Sequence, residues 1–138
     1  MASRLVWEPE GVLAIHAGSL ASAAFLDSVR RIQSDPRFDD ARYVIHDFSQ
    51  VAGHGIPSAT LTELAILHYG AWASSPNCRV VFVCTDPELA GDIRRVLGAA
   101  DLASYECEVR PTLVEARDWL DEQPQLMRIS EVMGFLGR

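Results

Sequence analysis

Six consecutive residues, Arg79-Val-Val-Phe-Val-Cys84, constrain this chain more than any other stretch. Past one flanking charge the run is apolar without alternation. A strand made from it must be covered on both faces, as in a parallel sheet walled by helices. A parallel neighbour cannot be reached through a tight turn; it requires a crossover, usually a helix. The sequence supplies one at once. Thr85-Asp-Pro-Glu88 follows, with Asp86 placed to cap a helix that opens at Pro87. Leu89, Ile93, Val96, Leu97 and Ala100 then recur at helical spacing, with Asp92, Arg94 and Arg95 facing out.

The remaining segments fit the same plan. Leu5-Val-Trp7 and Val12-Leu-Ala-Ile15 flank Glu8-Pro-Glu-Gly11, whose proline and glycine suit a type I turn, so the chain opens on an antiparallel hairpin. Residues 21–33 place Phe25, Val29 and Ile32 on one helical face and stop at Ser34-Asp35-Pro36. Tyr43-Val-Ile45 is a short strand buried on both faces. Thr60-Leu-Thr-Glu63 reads as a capping box for the next helix. That helix carries one apolar stripe (Leu61, Leu64, Ala65, His68, Ala71, Trp72) and a second in Ile66, Tyr69 and Ala73. Tyr105–Val109 alternates, as an edge strand does, and Thr112-Leu-Val-Glu115 is a second capping box. The expected fold is α/β: a single domain over 1–121 with four mainly parallel strands, an antiparallel N-terminal edge strand and helices packed on the sheet. Residues 122–138 form an amphipathic tail built on Leu126, Ile129, Met133 and Leu136.

At 138 residues, 49% of them hydrophobic, one self-sufficient core is expected. Twelve basic against nineteen acidic residues give a net charge of −7, which disfavours nucleic acid and anionic membranes as partners. No run approaches the ~20 apolar residues of a membrane span, and no signal peptide is evident, which points to the cytoplasm. Cys78, Cys84 and Cys107 are odd in number and widely spaced, as reduced core thiols are.

In open parallel sheets ligands bind beyond the carboxyl ends of the strands, which directs attention to His16–Ser19, His46–Ser58 and Thr85–Pro87 as three loops at one rim. No Gly-x-Gly-x-x-Gly or Gly-Lys-Ser/Thr phosphate loop occurs there, and no Gly-x-Ser-x-Gly elbow. His46, His54 and Ser58 are the groups a small hydrolase would use, and His16, His46 and His54 those a metal would need. Against both stands a plainer role for Asp47, Ser49 and Ser58 or Thr60: satisfying loop amides and capping a helix. No cofactor and no metal are expected. Gly53-His54-Gly55 suits either a mobile binding loop or an ordinary connection. His68 is expected to be packed rather than ligating.

Asp47-Phe-Ser-Gln-Val51, with an apolar strand before it and a loop and helix after it, resembles the Asp-Leu-Ser-x-Val pattern of the STAS and SpoIIAA-like group. The likeness extends in outline from Leu5 to about Leu120. It is nearest to the uncharacterised bacterial SpoIIAA-like branch, whose sheet is also likened to the CRAL-TRIO fold. In the anti-sigma-factor antagonists of this group a serine at a helix start is phosphorylated; the matching stretch here is Gly55-Ile-Pro-Ser58, which offers Ser58 but lacks the family's Asp-Ser pair. The resemblance implies a non-enzymatic regulatory or protein-binding module acting through His46, Asp47, Ser49, His54 and Ser58, with Ser58 as the phosphosite. The doubly apolar helix suggests a protein partner or a homodimer through Ile66, Tyr69 and Trp72. The alternative occupant of those three residues is an apolar or lipid-like small molecule, which would make the protein a carrier or sensor.

Overall fold

The computed structural model describes residues 3–98 and 105–124. Five strands form one sheet: β1 (Ser3–Trp7), β2 (Gly11–Ala21), β3 (Tyr43–Gly55), β4 (Arg79–Val83) and β5 (Glu106–Arg110). They lie side by side in chain order, β1 antiparallel to β2 and the rest parallel. Among the described residues four α-helices, α1 (Ser22–Ser34), α2 (Ser58–Trp72), α3 (Pro87–Leu97) and α4 (Leu113–Glu122), and a short 3-10 turn at Pro36–Asp40 complete the fold. None of the described helices is long and apolar enough to cross a membrane. Ala100 and the amphipathic tail residues from Leu126 onward lie outside the described residues.

Side-chain alternation divides the sheet into two faces. Val12, Ala14, Val44, Val80, Phe82 and Val109 pack with Phe25, Val29 and Ile32 of α1, Leu61 and Leu64 of α2, and Leu89 and Ile93 of α3. Leu13, Ile45, Val81 and Val83 pack on the other face with Ala116 and Trp119 of α4. Strands β3 and β4 are apolar on both sides because both sides are walled, as the unbroken run at 79–84 requires.

Local chemistry fixes most element ends. The opening hairpin is closed by Glu8 N–H to Gly11 O at 2.8 Å and Gly11 N–H to Glu8 O at 3.4 Å. Asp86 caps α3 by accepting from the amides of Glu88 and Leu89, with Pro87 in the first turn. Thr112 caps α4 by accepting from Glu115 N–H at 3.1 Å. The capping box expected at Thr60 does not form. Helix α2 begins three residues earlier, Pro57 occupies the cap position, and no side chain caps it. Proline already fixes φ for a helix entry, and the Thr60 hydroxyl instead meets Ser22 Oγ of α1 at 2.7 Å.

The larger departure is the length of β2 and β3. Both expected rim loops, at 16–19 and 46–58, are mostly strand: pairing runs through Ala17↔Gln50 to Ala21↔Gly55, with register shifts between Ile15 and Ala17 and between Gly18 and Ser19. Each segment supplies the other's backbone partners, so the polar, glycine-rich sequence is carried as a solvated ribbon beyond the covered sheet. Gly18 sits at the second shift with φ +70°, the left-handed region where a Cβ is strained.

Gly11 serves a different need. A Cβ built there would stand 2.5 Å from Tyr43 Cδ1 and 2.5 Å from the Tyr43 carbonyl oxygen, and the latter belongs to a sheet that cannot yield. Gly11→Ala is therefore expected to cost about 1–3 kcal/mol by overpacking. Urea denaturation would measure it; an unchanged midpoint would remove the close approach of β2 and β3 as a constraint.

Candidate functional site

The carboxyl ends of β3 and β4 and the starts of α2 and α3 meet in a shallow depression of about 150 Å³, floored by Leu20, Phe48, Ile56 and Leu89 and edged by His54 and Asp86. His54 Nε2 lies 3.1 Å from Asp86 Oδ2, tying the end of β3 to the cap of α3. The imidazole and the α3 amides hold the Asp86 carboxyl below the usual carboxylate range, His54 contributing most. Ser58, the first residue of α2, accepts a 2.9 Å hydrogen bond from Arg95 Nη2, and Arg95 also pairs with Asp92 at 2.8 Å. Ser22 at the start of α1 donates to the carbonyl of Gly55 and meets Thr60, so three helix starts are tied to the end of one ribbon.

Of the residues the sequence assigned to this rim, His54 and Ser58 stand on it. Asp47 is nearly buried, and its Oδ1 accepts from Ser49 N–H at 2.9 Å, the local amide-satisfying role expected of it; Ser49 itself is exposed. His46 is not at the rim. It is 1% exposed and His16 is fully buried, the two joined by His16 Nε2 to His46 Nδ1 at 3.1 Å. Ser3 Oγ continues the chain to His16 Nδ1 at 2.6 Å. Strand periodicity is the reason: His16 follows Val12 and Ala14 on the inward face of β2, and His46 lies between Val44 and Phe48 on that of β3. The rings stack on one another and His46 stacks on Phe82, with Phe25 edge-on to both.

This geometry separates the groups that a hydrolase or a metal would need together. His46 is inside, His54 faces Asp86, and Ser58 faces Arg95. Among the described residues no group of three or more His, Cys, Asp or Glu side chains is placed to hold a metal ion. Burial pushes the His16 ring down to about 4, Asp47 opposing weakly; it lowers His46 strongly, with His16 and His68 adding to the effect. His68 is packed edge-on to Tyr105 as a core histidine, lowered by burial to about 4. The three cysteines are free thiols; burial raises all three, and none is activated.

Ile66 and Tyr69 point outward on α2, 63% and 49% exposed, while Trp72 packs partly against the core. Ile66 lines a groove with Leu67, Gly70 and Ala71; Tyr69 and Trp72 are not part of its lining. Ile66 and Tyr69 therefore present an outer surface, and Trp72 does not join them as the walls of one pocket beneath the helix.

Two solved structures share this fold. The unphosphorylated form of the anti-sigma factor antagonist SpoIIAA superimposes with a TM-score of 0.59 at 15% identity, covering 88% of this chain and 100% of that one. The fold is SpoIIAA-like. An uncharacterised protein of the DUF3478 family from Shewanella loihica PV-4, also with a SpoIIAA-like fold, superimposes with a TM-score of 0.54 at 13% identity over 86% of this chain and 92% of its own. No protein-family model and no curated protein matches the sequence.

Within this SpoIIAA-like frame Asp86 stands at the rim as expected of Thr85–Pro87, whereas its tie to His54 and that of Arg95 to Ser58 had no sequence signal. Asp86 reads as a cap and Arg95 as a solvated helix charge, and only the α2–α3 packing turns them toward His54 and Ser58. A signal for the buried histidine pair was present: His16 and His46 each continue the inward parity of their strand.

Proposed function

We propose that the protein is a non-enzymatic regulatory module that docks a protein partner through the ribbon end at His54, the start of α2 and the exposed face carrying Ile66 and Tyr69, and that Ser58 is its switch. The observation that carries this reading is Ser58 at the first position of a 15-residue helix with the Arg95 guanidinium 2.9 Å from its hydroxyl. A phosphate there would add roughly −1.5 to −2 charge at the positive end of the helix. Arg95 would meet it with a charge-assisted fork, releasing Asp92. The same charge would face the docked surface of the partner and weaken the complex. SpoIIAA-like architecture supports the reading.

The test is quantitative capture from native cell extract with the full chain as bait. Wild type and Ser58→Ala should retain one partner, while Ser58→Asp and the double change Ile66→Glu with Tyr69→Glu should each lower its recovery at least tenfold. Sedimentation of the recovered complex separates a different protein from a second copy of this chain. Equal recovery by wild type and both charged variants, or no partner at all, would end the proposal.

A further inference from the structure

The end of the sheet opposite the rim opens into a cleft of about 370 Å³ lined by Glu10, Arg42, Tyr43, Arg79, Arg117 and Asp121. That volume lies within the roughly 300–1,000 Å³ range of small-molecule sites. Three of the twelve basic residues of an acidic chain converge on it. Arg42 immediately precedes β3 and Arg79 opens the neighbouring β4, and Arg79 N–H donates to Arg42 O at 3.0 Å.

Each guanidinium has a carboxylate, but the pairs are unlike. Arg117 is gripped by both oxygens of Glu8, at 3.0 and 2.8 Å, and Tyr43 donates to the same carboxylate. This triad is a fixed wall. The side chains of Arg42 and Arg79 are only 15% and 13% exposed, whereas their partners, Glu10 at 3.4 Å and Glu106 at 3.0 Å, are 49% and 56% exposed. Arg79 is further anchored by donating to the Pro124 carbonyl at 2.7 Å. The cations are thus held in place, and the anions opposite them are solvated side chains in weak surface pairs.

We propose that this cleft binds a small organic dianion, whose two acidic groups take the places of Glu10 on Arg42 and Glu106 on Arg79. Guanidinium forks suit carboxylate and phosphate oxygens equally well. The Tyr43 ring and Leu120 give the cleft apolar surface for a carbon skeleton between them. The exposed carboxylates Glu10 and Asp121 also set its selectivity: a single weak anion cannot compete with them, and a ligand bearing two charges on one scaffold can.

Isothermal titration of the full chain at low ionic strength, with succinate and glutarate as probes and glycerol as neutral control, tests this. At least one dianion should bind saturably, one to one, more weakly as salt rises, and glycerol should not bind. Arg42→Gln and Arg79→Gln should each raise Kd at least tenfold. Glu10→Gln and Glu106→Gln remove competitors and should tighten binding severalfold, whereas Glu63→Gln, the same charge change on α2, should leave it unchanged. The glutamate variants keep the arginines and carry the test if an arginine variant fails to fold. Absence of saturable binding of both dianions to wild type and to the Glu10→Gln, Glu106→Gln double variant would overturn the proposal, as would equal tightening by Glu63→Gln.

Discussion

Acidification from pH 7 to pH 4 is expected to cost the folded state on the order of 5 kcal/mol, a large part of the stability of a domain this size. The cause is the buried histidine set. His16 and His68 are held at about 4 in the fold, and His46 is lowered in the same direction. The unfolded chain returns each ring to an ordinary value near 6.5. Because the folded values are depressed, the unfolded state binds more protons below pH 6.5. Stability is therefore complete above that pH and falls progressively toward pH 4, His16 and His68 each accounting for roughly 3 kcal/mol, with His46 acting in the same direction. Urea melts across pH 4–7.5 measure the loss, and His68→Leu should remove a substantial part of the slope. A stability that stays level down to pH 4.5 and fails only as carboxylates protonate would show that the rings are hydrated.

Phe25→Ala should lower stability by about 3–5 kcal/mol, equivalent to a fall in Tm on the order of 10–20 °C. Phe25 is fully buried, edge-on to His16 at 5.5 Å, to His46 at 5.2 Å and to Phe48 at 5.7 Å. Removing the ring opens a cavity beside two polar side chains. Water entering there would relieve their desolvation, so the variant should also show a shallower dependence on pH between 4 and 7. Thermal melts of Phe25→Ala and Phe25→Leu at pH 7.5 and 5 separate the two effects. A variant that loses stability but keeps the full pH slope would mean that the cavity stays dry and that Phe25 matters only as packing.

How much of this could be read beforehand depended on which forces wrote the pattern. The run at 79–84 announced a doubly covered strand because burial on both faces leaves no other composition, and Asp86-Pro87 announced a helix start because cap and ring chemistry act within three residues. The cap at Thr60 was misplaced because Pro57 sets the helix entry three residues upstream and the threonine hydroxyl is claimed by Ser22, a partner 38 residues away. The extension of β3 through Gly55 was invisible for a similar reason. A polar, glycine-containing segment is strand only if another segment lies beside it, and that fact belongs to the pairing rather than to either sequence. His54 was legible as a rim residue, whereas its tie to Asp86 and that of Ser58 to Arg95 depend on how α3 lies beside α2.

The ribbon formed by Ala17–Ala21 and Gln50–Gly55 runs on after β1 has ended at the level of His16 and β4 at the level of Asp47. Two strands with no third to support them are marginal in water. Their amides should exchange with solvent through local openings of low free energy, while those of β4 wait for global unfolding. Breathing of this kind leaves the walled sheet intact, so the segment bearing His54 can change shape without the domain having to melt.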